Sequence, residues 1–344
     1  MIFQRSLLID LLKITGSHLI VLHHLFLYSP MAKIVESQLP KLTEFLFLYF
    51  RLPVWSFLVV GGFLCAHIVD SRISFSLTHT IYKRFLRLLP LYFISIFSVI
   101  LVTMLFYPFI KDELWISPIP SLIQLCSNLI LIQDLIGEPS LSAGAWYVSI
   151  DLQLFAITLT LFFLSRYVHG NFDIEIISTC IFFATLSSLI FWSKEVRYEI
   201  YAIYFYNAYG LGLMAYLAKK NRLSFYFFLI LLLAHAVDII FYPSAKSGVI
   251  FFTALAIYCI DKSYLIKNRI AKIILYGSNS SYALFVSHFF VIIIFTGIWN
   301  MLELSGFFTA FTMIFFVWFT VTLYAFSLDY FLNLSSKCNK VENS

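Results

Sequence analysis

The stretches that decide the fold are unbroken apolar runs such as ISIFSVILVTML at Ile94–Leu105 and FFLILLLA at Phe227–Ala234. These runs lack the polar–apolar alternation of a transmembrane β-strand, so they indicate membrane-spanning helices. Of the 344 residues, 61% are hydrophobic and only 12% are charged, which is about half the charged share of a soluble domain. This composition excludes a soluble globular domain, a disordered chain and a fibrous protein, and it leaves a polytopic membrane protein.

Ten apolar segments approach or exceed the length of about 20 helical residues that a bilayer crossing needs. We therefore predict an all-α bundle of about ten transmembrane helices, which forms a single domain over residues 1–344. The eighth segment is the shortest. The segments are 7–28, 44–68, 88–109, 146–165, 174–193, 199–218, 224–242, 247–260, 280–299 and 307–332.

The basic residues predict the side of the membrane on which each loop lies. With ten crossings, 15 of the 23 Lys and Arg residues fall on one side. Because basic loops remain in the cytoplasm, both termini are predicted there, and residues 333–344 form a short cytoplasmic tail. The basic groups are Arg72, Lys83, Arg84 and Arg87; Lys219, Lys220 and Arg222; Lys262, Lys267, Arg269 and Lys272; and Lys337 and Lys340.

The longest connection, 110–145, is predicted on the outer side. It carries the acidic residues Asp112, Glu113, Asp134 and Glu138. The apolar stretch within it, Ile119–Leu135, is too polar to be predicted as a membrane-spanning helix. We expect this connection to lie along the membrane surface or to re-enter the membrane.

Several kinds of site find no support in the sequence. The five Cys residues are scattered without CxxC spacing, so we expect neither a disulfide framework nor a metal site. There is no Walker loop, dinucleotide fingerprint, HExxH motif or serine-nucleophile elbow, so no permanently bound cofactor is expected. The net charge of +5 does not indicate nucleic-acid binding. The first segment lacks a small-residue cleavage site, so we expect it to remain as a membrane helix.

The first segment carries a polar stripe. At 100° per residue, Asp10, Lys13, Ser17 and His24 fall within about 60° of the helix circumference. Because polar groups in lipid are costly, this stripe should face a protein cavity. His24 is the candidate general base, because histidine titrates near neutral pH, and Asp10 and Lys13 would pair and hold a binding position below it. The alternative is a polar face that hydrogen-bonds to neighbouring helices.

Three of the other histidines in the apolar segments are compared with His24. His18 and His23 fall off the stripe, and we interpret them as packing residues. His288 in the ninth segment is a candidate for substrate binding, although a single histidine in a helix bundle is more often a packing residue with satisfied hydrogen bonds.

Two further segments offer candidate binding residues. Arg84 and Arg87 are spaced i, i+3 at the cytoplasmic start of a helix, where two guanidinium forks would bind a phosphate-rich ligand. The alternative is an ordinary basic flank with snorkelling side chains. Asp151, with Ser149 beside it, enters the apolar region near the outer end of the fourth segment, where it must find a cation across the bundle or stay protonated. Arg51 interrupts the second segment and is a weaker candidate.

Together these motifs resemble the acyltransferase 3 family, the membrane-bound O-acyltransferases that modify bacterial glycans. The opening RSLLIDLLKITGSHLIVLHH (5–24) is similar to the family's Asp-Gly-Leu-Arg start, which an essential His follows eleven residues later; the count matches Lys13 and His24. Four other stretches match family motifs in order. They are FLVVGGFLCA (57–66), KRFLRLLPLYF (83–93), AWYVSIDLQLF (145–155) and GSNSSYALFVSH (277–288), which ends at His288.

The chain departs from the family pattern at three positions. Lys13 replaces Arg, Gly61 replaces Ser and Asp151 replaces Glu. The charge is kept at Lys13 and Asp151, but a lysine lacks the bidentate geometry of an arginine. The extracytoplasmic hydrolase-like domain that many members carry is not expected in this chain.

The resemblance implies a function and roles for the candidate residues. Acetyl-CoA would be the co-substrate on the cytoplasmic side, with its phosphates at Arg84 and Arg87. His24 would deprotonate the acceptor or relay its proton, and Asp151 would orient groups or balance charge. The acceptor would be a sugar hydroxyl of a lipid-linked or surface glycan, reached from the outer side of a bacterial cytoplasmic membrane.

Two alternatives remain open at this point. A proton-coupled transporter or flippase would also use buried Asp, Lys and His residues, although the sequence shows no repeated halves and no paired broken helices. An acyltransferase for another acceptor, such as a peptide or small lipid, is poorly separated from the glycan enzyme by sequence.

Overall fold

A computed structural model describes residues 6–70, 76–110, 115–116, 119–169, 173–260 and 269–342, and it confirms the predicted all-α fold. Two short 3-10 turns, at Trp192–Lys194 and Val196–Tyr198, precede α10. The helices are α1 (Leu7–Tyr28), α2 (Pro30–Gln38), α3 (Pro40–Tyr49), α4 (Pro53–Asp70), α5 (Leu77–Ile110), α6 (Leu122–Leu129), α7 (Gln133–Ile136), α8 (Ala145–His169), α9 (Ile174–Ile190), α10 (Ala202–Leu217), α11 (Arg222–Phe241), α12 (Ala245–Ile260), α13 (Arg269–Met301) and α14 (Phe307–Glu342).

Eight of the ten predicted segments lie in helical stretches that are long and apolar enough to cross a membrane. The other two correspond to α10 and α12, each of 16 residues, which reach about 24 Å at 1.5 Å per residue. The length and composition of the eight stretches support an integral membrane protein. The count of ten crossings and the side on which each terminus lies remain predictions.

Several of the loop residues used for the topology lie outside the described residues. Of the remaining basic groups, Lys219, Lys220 and Arg222 lie together at the turn between α10 and α11. The residues outside the described ranges are Arg5, Arg72, Asp112, Glu113, Lys262 and Lys267, and the side chains of Lys337 and Lys340 are not described either.

Some helices extend well beyond the predicted segments. α5 begins at Leu77, before the predicted start at 88, and α13 begins at Arg269, before the predicted start at 280. The GSNSSY stretch at 277–282 therefore lies inside α13. α14 runs on through most of the predicted tail to Glu342. Hydropathy marks the part of a helix that is apolar, whereas backbone hydrogen bonding continues through polar turns. The second segment is divided at 50–52, because Pro53 disfavours a helical residue before it.

The connection between α5 and α8 is more folded than the sequence indicated. Ser121 caps α6 by accepting a hydrogen bond from the Gln124 backbone N–H at 3.0 Å. The Asn128 side chain, fully buried, donates to the Pro139 carbonyl oxygen and accepts from the Leu141 backbone N–H. These bonds hold α6, α7 and the following loop as a compact layer against the bundle. Its position relative to the membrane surface remains a prediction.

The core of one half of the bundle is α10. All of its residues except Ile203 are buried, which is expected for a helix that is apolar on every side. It crosses α4 at very close range: a Cβ at Gly62 would overlap with the carbonyl oxygen of Tyr209, and a Cβ at Gly212 would overlap with that of Val59. Glycine is required at both positions because the two backbones touch.

We expect Gly212→Ala to force α4 and α10 apart. Overpacking of this kind costs about 1–3 kcal/mol or more, so the apparent melting temperature in detergent should fall by several degrees. Gly248→Ala is the matched control, because nothing lies within 4 Å of a Cβ at that position in α12. Equal melting temperatures for the two variants would show that the backbone contact does not hold α4 against α10.

Candidate functional site

A cavity of about 450 Å³ opens at the end of the bundle where α1 and α5 end and α8 begins. We call this end the cavity end; it is the predicted outer side. The walls come from α1, α5, α13 and the connection that precedes α8. The lining residues are His24, Tyr28, Val99, Ile100, Thr103, Met104, Tyr107, Trp115, Ile116, Ile119, Pro120, Ser140, Leu141, Ser142, Ala143, Trp146, Phe289 and Ile293.

The lining combines aromatic rings with a few hydroxyl groups. Tyr28 and Trp115 pack together, with ring centroids 5.1 Å apart, and Trp146 lines the cavity near the start of α8. Thr103 and Ser140 add polar groups to the same surface. An apolar, aromatic cavity of several hundred cubic ångströms with a few polar groups is typical of a site for a small organic molecule.

His24 is the histidine among the cavity-lining residues, and a second histidine supports it. The His24 Nδ1 atom lies 2.7 Å from Nε2 of His288, which is a hydrogen bond between α1 and α13. The two rings are nearly parallel, with an interplanar angle of 4° and centroids 4.8 Å apart. Only His24 of the pair lines the cavity, so His288 lies behind it. Because Nδ1 is engaged by His288, Nε2 is the nitrogen of His24 that remains for a molecule in the cavity.

The surroundings of His288 indicate how the pair shares its protons. His288 is fully buried, and its Nδ1 atom lies beside the backbone carbonyls of Leu284 and Phe285, outside the geometry of a full hydrogen bond. In the tautomer that places a proton on this Nδ1, Nε2 of His288 is the acceptor, His24 donates from Nδ1, and Nε2 of His24 carries a lone pair.

The two histidines that fall off the polar stripe contact aromatic residues. The ring of His18 lies 5.5 Å from that of Trp318 in α14, and the ring of His23 lies 5.4 Å from that of Phe47 in α3. Neither lines the cavity.

The stripe of α1 faces α13 at both ends, but its members are not gathered at one place. Asp10 accepts a hydrogen bond of 2.6 Å from the hydroxyl of Ser278, and His24 bonds to His288. Asp10 and His24 are separated by about 21 Å along the helix. Lys13, between them, is partly buried. Asp10 and Lys13 therefore lie far below the cavity, and the structure does not bring Asp10 into contact with His24.

Asp151 has the cation partner that its position in the apolar region requires. An Oδ2 of Asp151 in α8 lies 2.5 Å from a guanidinium nitrogen of Arg84 in α5, and both side chains are largely buried. Arg84 also lies over the ring of Phe155, 4.2 Å from its centroid. We expected Arg84 at an open rim; instead it lies between helices, because its charge pairs with the carboxylate. Its Nε is buried and has no hydrogen-bond partner.

Residues around this ion pair were not found by sequence reasoning. Tyr209 of α10 and Cys65 of α4 lie close enough to Arg84 and Asp151 to interact electrostatically. A Cβ at Gly61 would lie 3.1 Å from the ring of Tyr209 and 3.3 Å from Oδ1 of Asp151, so α4 packs closely against both side chains at this position. A lone tyrosine in an apolar helix has no spacing pattern, so no sequence feature singled out Tyr209.

The remaining candidates lie apart from His24. Ser149 is fully buried, and its hydroxyl donates to the backbone carbonyl of Leu131, which places it in the support of the α6–α7 layer. Arg87 is exposed near the start of α5. Arg51 lies in the break between α3 and α4, with its guanidinium carbon 5.9 Å from the ring centroid of Phe47.

The aromatic walls of the cavity and the role of His288 as the partner of His24 were also missed. Trp115 and Trp146 lie near the two ends of the connection before α8, and no spacing pattern marks them as parts of one site. Only folding of the connection against α5 brings them together.

Comparison with protein-family models matches residues 7–328 to the acyltransferase 3 model, described as an acyltransferase domain. Searches among curated proteins and among solved structures gave no match. The matched range runs from the first residue of α1 into α14 and contains the histidine pair, the cavity lining and the ion pair. Because the family model covers nearly the whole of a chain with eight candidate membrane spans, this protein belongs to the acyltransferase 3 family and is a membrane acyltransferase.

Proposed function

We propose that the protein is an O-acetyltransferase of the bacterial cytoplasmic membrane. It moves an acetyl group from cytoplasmic acetyl-CoA to a sugar hydroxyl of a cell-surface or lipid-linked polysaccharide, such as an O-antigen, a capsule or an exopolysaccharide. The single observation that carries this proposal is His24, which lines a ring-lined cavity at the predicted outer end and is held from behind by His288.

The geometry supports His24 as the general base. Nε2 of His24 takes the proton of the acceptor hydroxyl as its oxygen attacks the thioester carbonyl carbon. The carbon–sulfur bond then breaks, and the CoA sulfur receives the proton from His24, so the histidine returns to its starting state. His288 orients the ring and accepts a charge-assisted hydrogen bond from Nδ1 while His24 is protonated.

The cavity suits a sugar acceptor. Sugar rings present apolar C–H faces that pack on aromatic side chains, and Tyr28, Trp115 and Trp146 supply such rings. The hydroxyls of Thr103 and Ser142 can exchange hydrogen bonds with those of a sugar. The opening at the predicted outer end would admit a glycan that is itself outside the cytoplasm.

The donor would enter from the opposite end. Arg87 is exposed there and can pair with a phosphate of CoA. Arg84 lies deeper, and Asp151 holds its guanidinium in place, so its unpaired Nε is available to an oxygen of the donor. Lys13, partly buried on α1, adds a third positive charge within the bundle.

The primary test compares His24→Ala with His23→Ala. Loss of the base should reduce acetyl transfer by about 10²–10⁴-fold. His23→Ala should leave transfer largely intact, because the His23 ring contacts those of Phe47 and His24 but does not line the cavity. Transfer is measured with labelled acetyl-CoA in membranes and by the O-acetyl content of surface glycans.

Equal loss in both variants would remove the case for His24, and unchanged O-acetyl content in every glycan class on gene deletion would rule out the proposed function. Solute counterflow in vesicles without acetyl-CoA would favour a transporter.

Replacement of His288 tests its role in orienting His24. We expect His288→Leu to lower kcat by about 10²-fold, because the His24 ring loses the bond that fixes it. His288→Gln keeps a side-chain oxygen able to accept from Nδ1 and should recover part of the rate. Acceptor KM should change little in both. If leucine and glutamine give the same kcat, the hydrogen bond does not contribute to transfer.

The ion pair allows stability and activity to be separated. Asp151→Asn leaves the largely buried charge of Arg84 without a carboxylate, which should cost about 3 kcal/mol in the free energy of unfolding. The double variant Arg84→Met with Asp151→Leu removes both charges and should fold more stably than the single variant, yet transfer no acetyl group. Melting in detergent and acetyl transfer are measured on each variant. A stable double variant with normal transfer would exclude the pair from the reaction.

A further inference from the structure

Three aromatic rings lie between the histidine pair and the Arg84–Asp151 ion pair. They are Phe57 of α4, Tyr147 of α8 and Phe285 of α13, and we call them the aromatic plug. Their ring centroids are 5.2 Å apart for Tyr147 and Phe285, 6.2 Å for Phe57 and Tyr147, and 6.4 Å for Phe57 and Phe285. Each ring meets the other two edge to face, with interplanar angles of 66–77°. The three rings therefore bring α4, α8 and α13 into contact at the same depth in the bundle.

The helix positions place this level between the two polar pairs. In α13, Phe285 precedes His288 by three residues, or about 4.5 Å along the axis, and their ring centroids are 6.3 Å apart. In α8, Tyr147 precedes Asp151 by four residues, which puts both on one face about 6 Å apart along the axis. The plug therefore contacts the histidine side through α13 and the ion-pair side through α8.

A second contact shows which part of α13 lies at the depth of the ion pair. The hydroxyl of Tyr282 donates to the backbone carbonyl of Leu88 at 3.1 Å, and Leu88 lies one turn after Arg84 in α5. Tyr282 also lies one turn from Phe285, on the side away from His288. The order along the bundle is thus the cavity with the histidine pair, then the plug, then Tyr282 and the ion pair.

Neighbouring glycines make room for two of the rings. A Cβ at Gly16 of α1 would lie 2.6 Å from the ring of Phe57, and a Cβ at Gly144 would lie 3.0 Å from that of Phe285. The Phe285 side chain is buried, whereas those of Phe57 and Tyr147 are partly exposed. The three rings fill the space between α4, α8 and α13. The close contacts at Gly16 and Gly144 limit how far the rings of Phe57 and Phe285 can rotate.

We propose that the aromatic plug sets the length of the acyl group that reaches His24. This inference rests on the proposed function: a donor held at Arg84 and an acceptor at His24 are on opposite sides of the three rings. The acyl end of the donor must therefore pass the rings, which requires a rotamer change of Tyr147 or Phe285. A two-carbon acetyl group needs a small opening, and each added methylene needs a longer one, so the rings discriminate among donors by size.

The first experiment tests the plug as a barrier and does not depend on acyl transfer. In a background in which the five Cys residues are replaced by Ser or Ala, Gly61→Cys places a thiol beside Asp151, on the far side of the plug from the cavity. A membrane-impermeant methanethiosulfonate is added from the cavity side. We expect slow labelling with the plug intact and labelling at least tenfold faster with Phe285→Ala. Thr103→Cys, in the cavity lining, should be labelled at the same rate in both.

The second experiment measures donor selectivity. The ratio of kcat/KM for butyryl-CoA to that for acetyl-CoA should rise at least tenfold in Phe285→Ala and in Phe57→Ala. Phe182→Ala, which removes a buried ring stacked on Phe227 elsewhere in the bundle, should leave the ratio unchanged. Tyr147→Phe keeps the ring and should also keep the wild-type ratio.

The outcomes separate the plug from the proposed function. If Gly61→Cys is labelled equally fast with and without Phe285, the rings are not a barrier and the inference fails, whatever the enzyme acylates. If wild-type protein transfers acetyl groups and the selectivity ratio does not change in the plug variants, the inference fails while the proposed function stands. If wild-type protein transfers no acyl group, the proposed function fails first, and the plug as a length filter fails with it.

Discussion

Polar side chains that enter the hydrocarbon layer must be satisfied by other protein groups, and α13 is where much of this satisfaction occurs. It receives Asp10 through Ser278, His24 through His288, and the hydroxyl of Ser95 through a backbone carbonyl. These bonds tie α1 and α5 to one central helix. The cavity forms beside this helix because the connection before α8 folds over the ends of α1, α5 and α13.

The second constraint is charge. Arg84 and Asp151 lie on helices that approach from opposite ends of the bundle, and neither would be tolerated alone at that depth. Their pairing draws the start of α5 against α8, and it leaves one nitrogen of Arg84 without a partner. The histidine pair and the ion pair are therefore two separate polar levels, and an enzyme that joins a donor to an acceptor must connect them.

The packing between these levels is aromatic and tight. The close crossing of α4 and α10 at Gly62 and Gly212 holds Phe57 in position on one side, while α13 carries Phe285 on the other. Rings in contact edge to face can change rotamer without breaking a hydrogen bond. The proposed length filter relies on this property of the packing.

Part of the candidate site could be read from the sequence. The spacing of Asp10, Lys13, Ser17 and His24 selected His24 over His23, and His24 is the one that lines the cavity. The sequence indicated that Asp151 needs a cation partner. It did not identify Arg84 as that partner, because the two residues lie 67 positions apart in sequence. Ser149 and Asp10 were selected because they are polar residues in apolar helices. Their hydrogen-bond partners, Leu131 and Ser278, could not be read from the sequence.

By itself, the sequence determined that the chain is an all-α membrane protein, because continuous apolar runs and scarce charges are local properties that lipid selects directly. It also determined, through ordered motifs, the family. Only the tertiary structure decided which polar residues meet. The bond between His24 and His288 joins residues 264 positions apart, and the aromatic plug joins three helices. Such contacts depend on how helices cross and rotate against one another, and helix rotation is set by packing over the whole bundle.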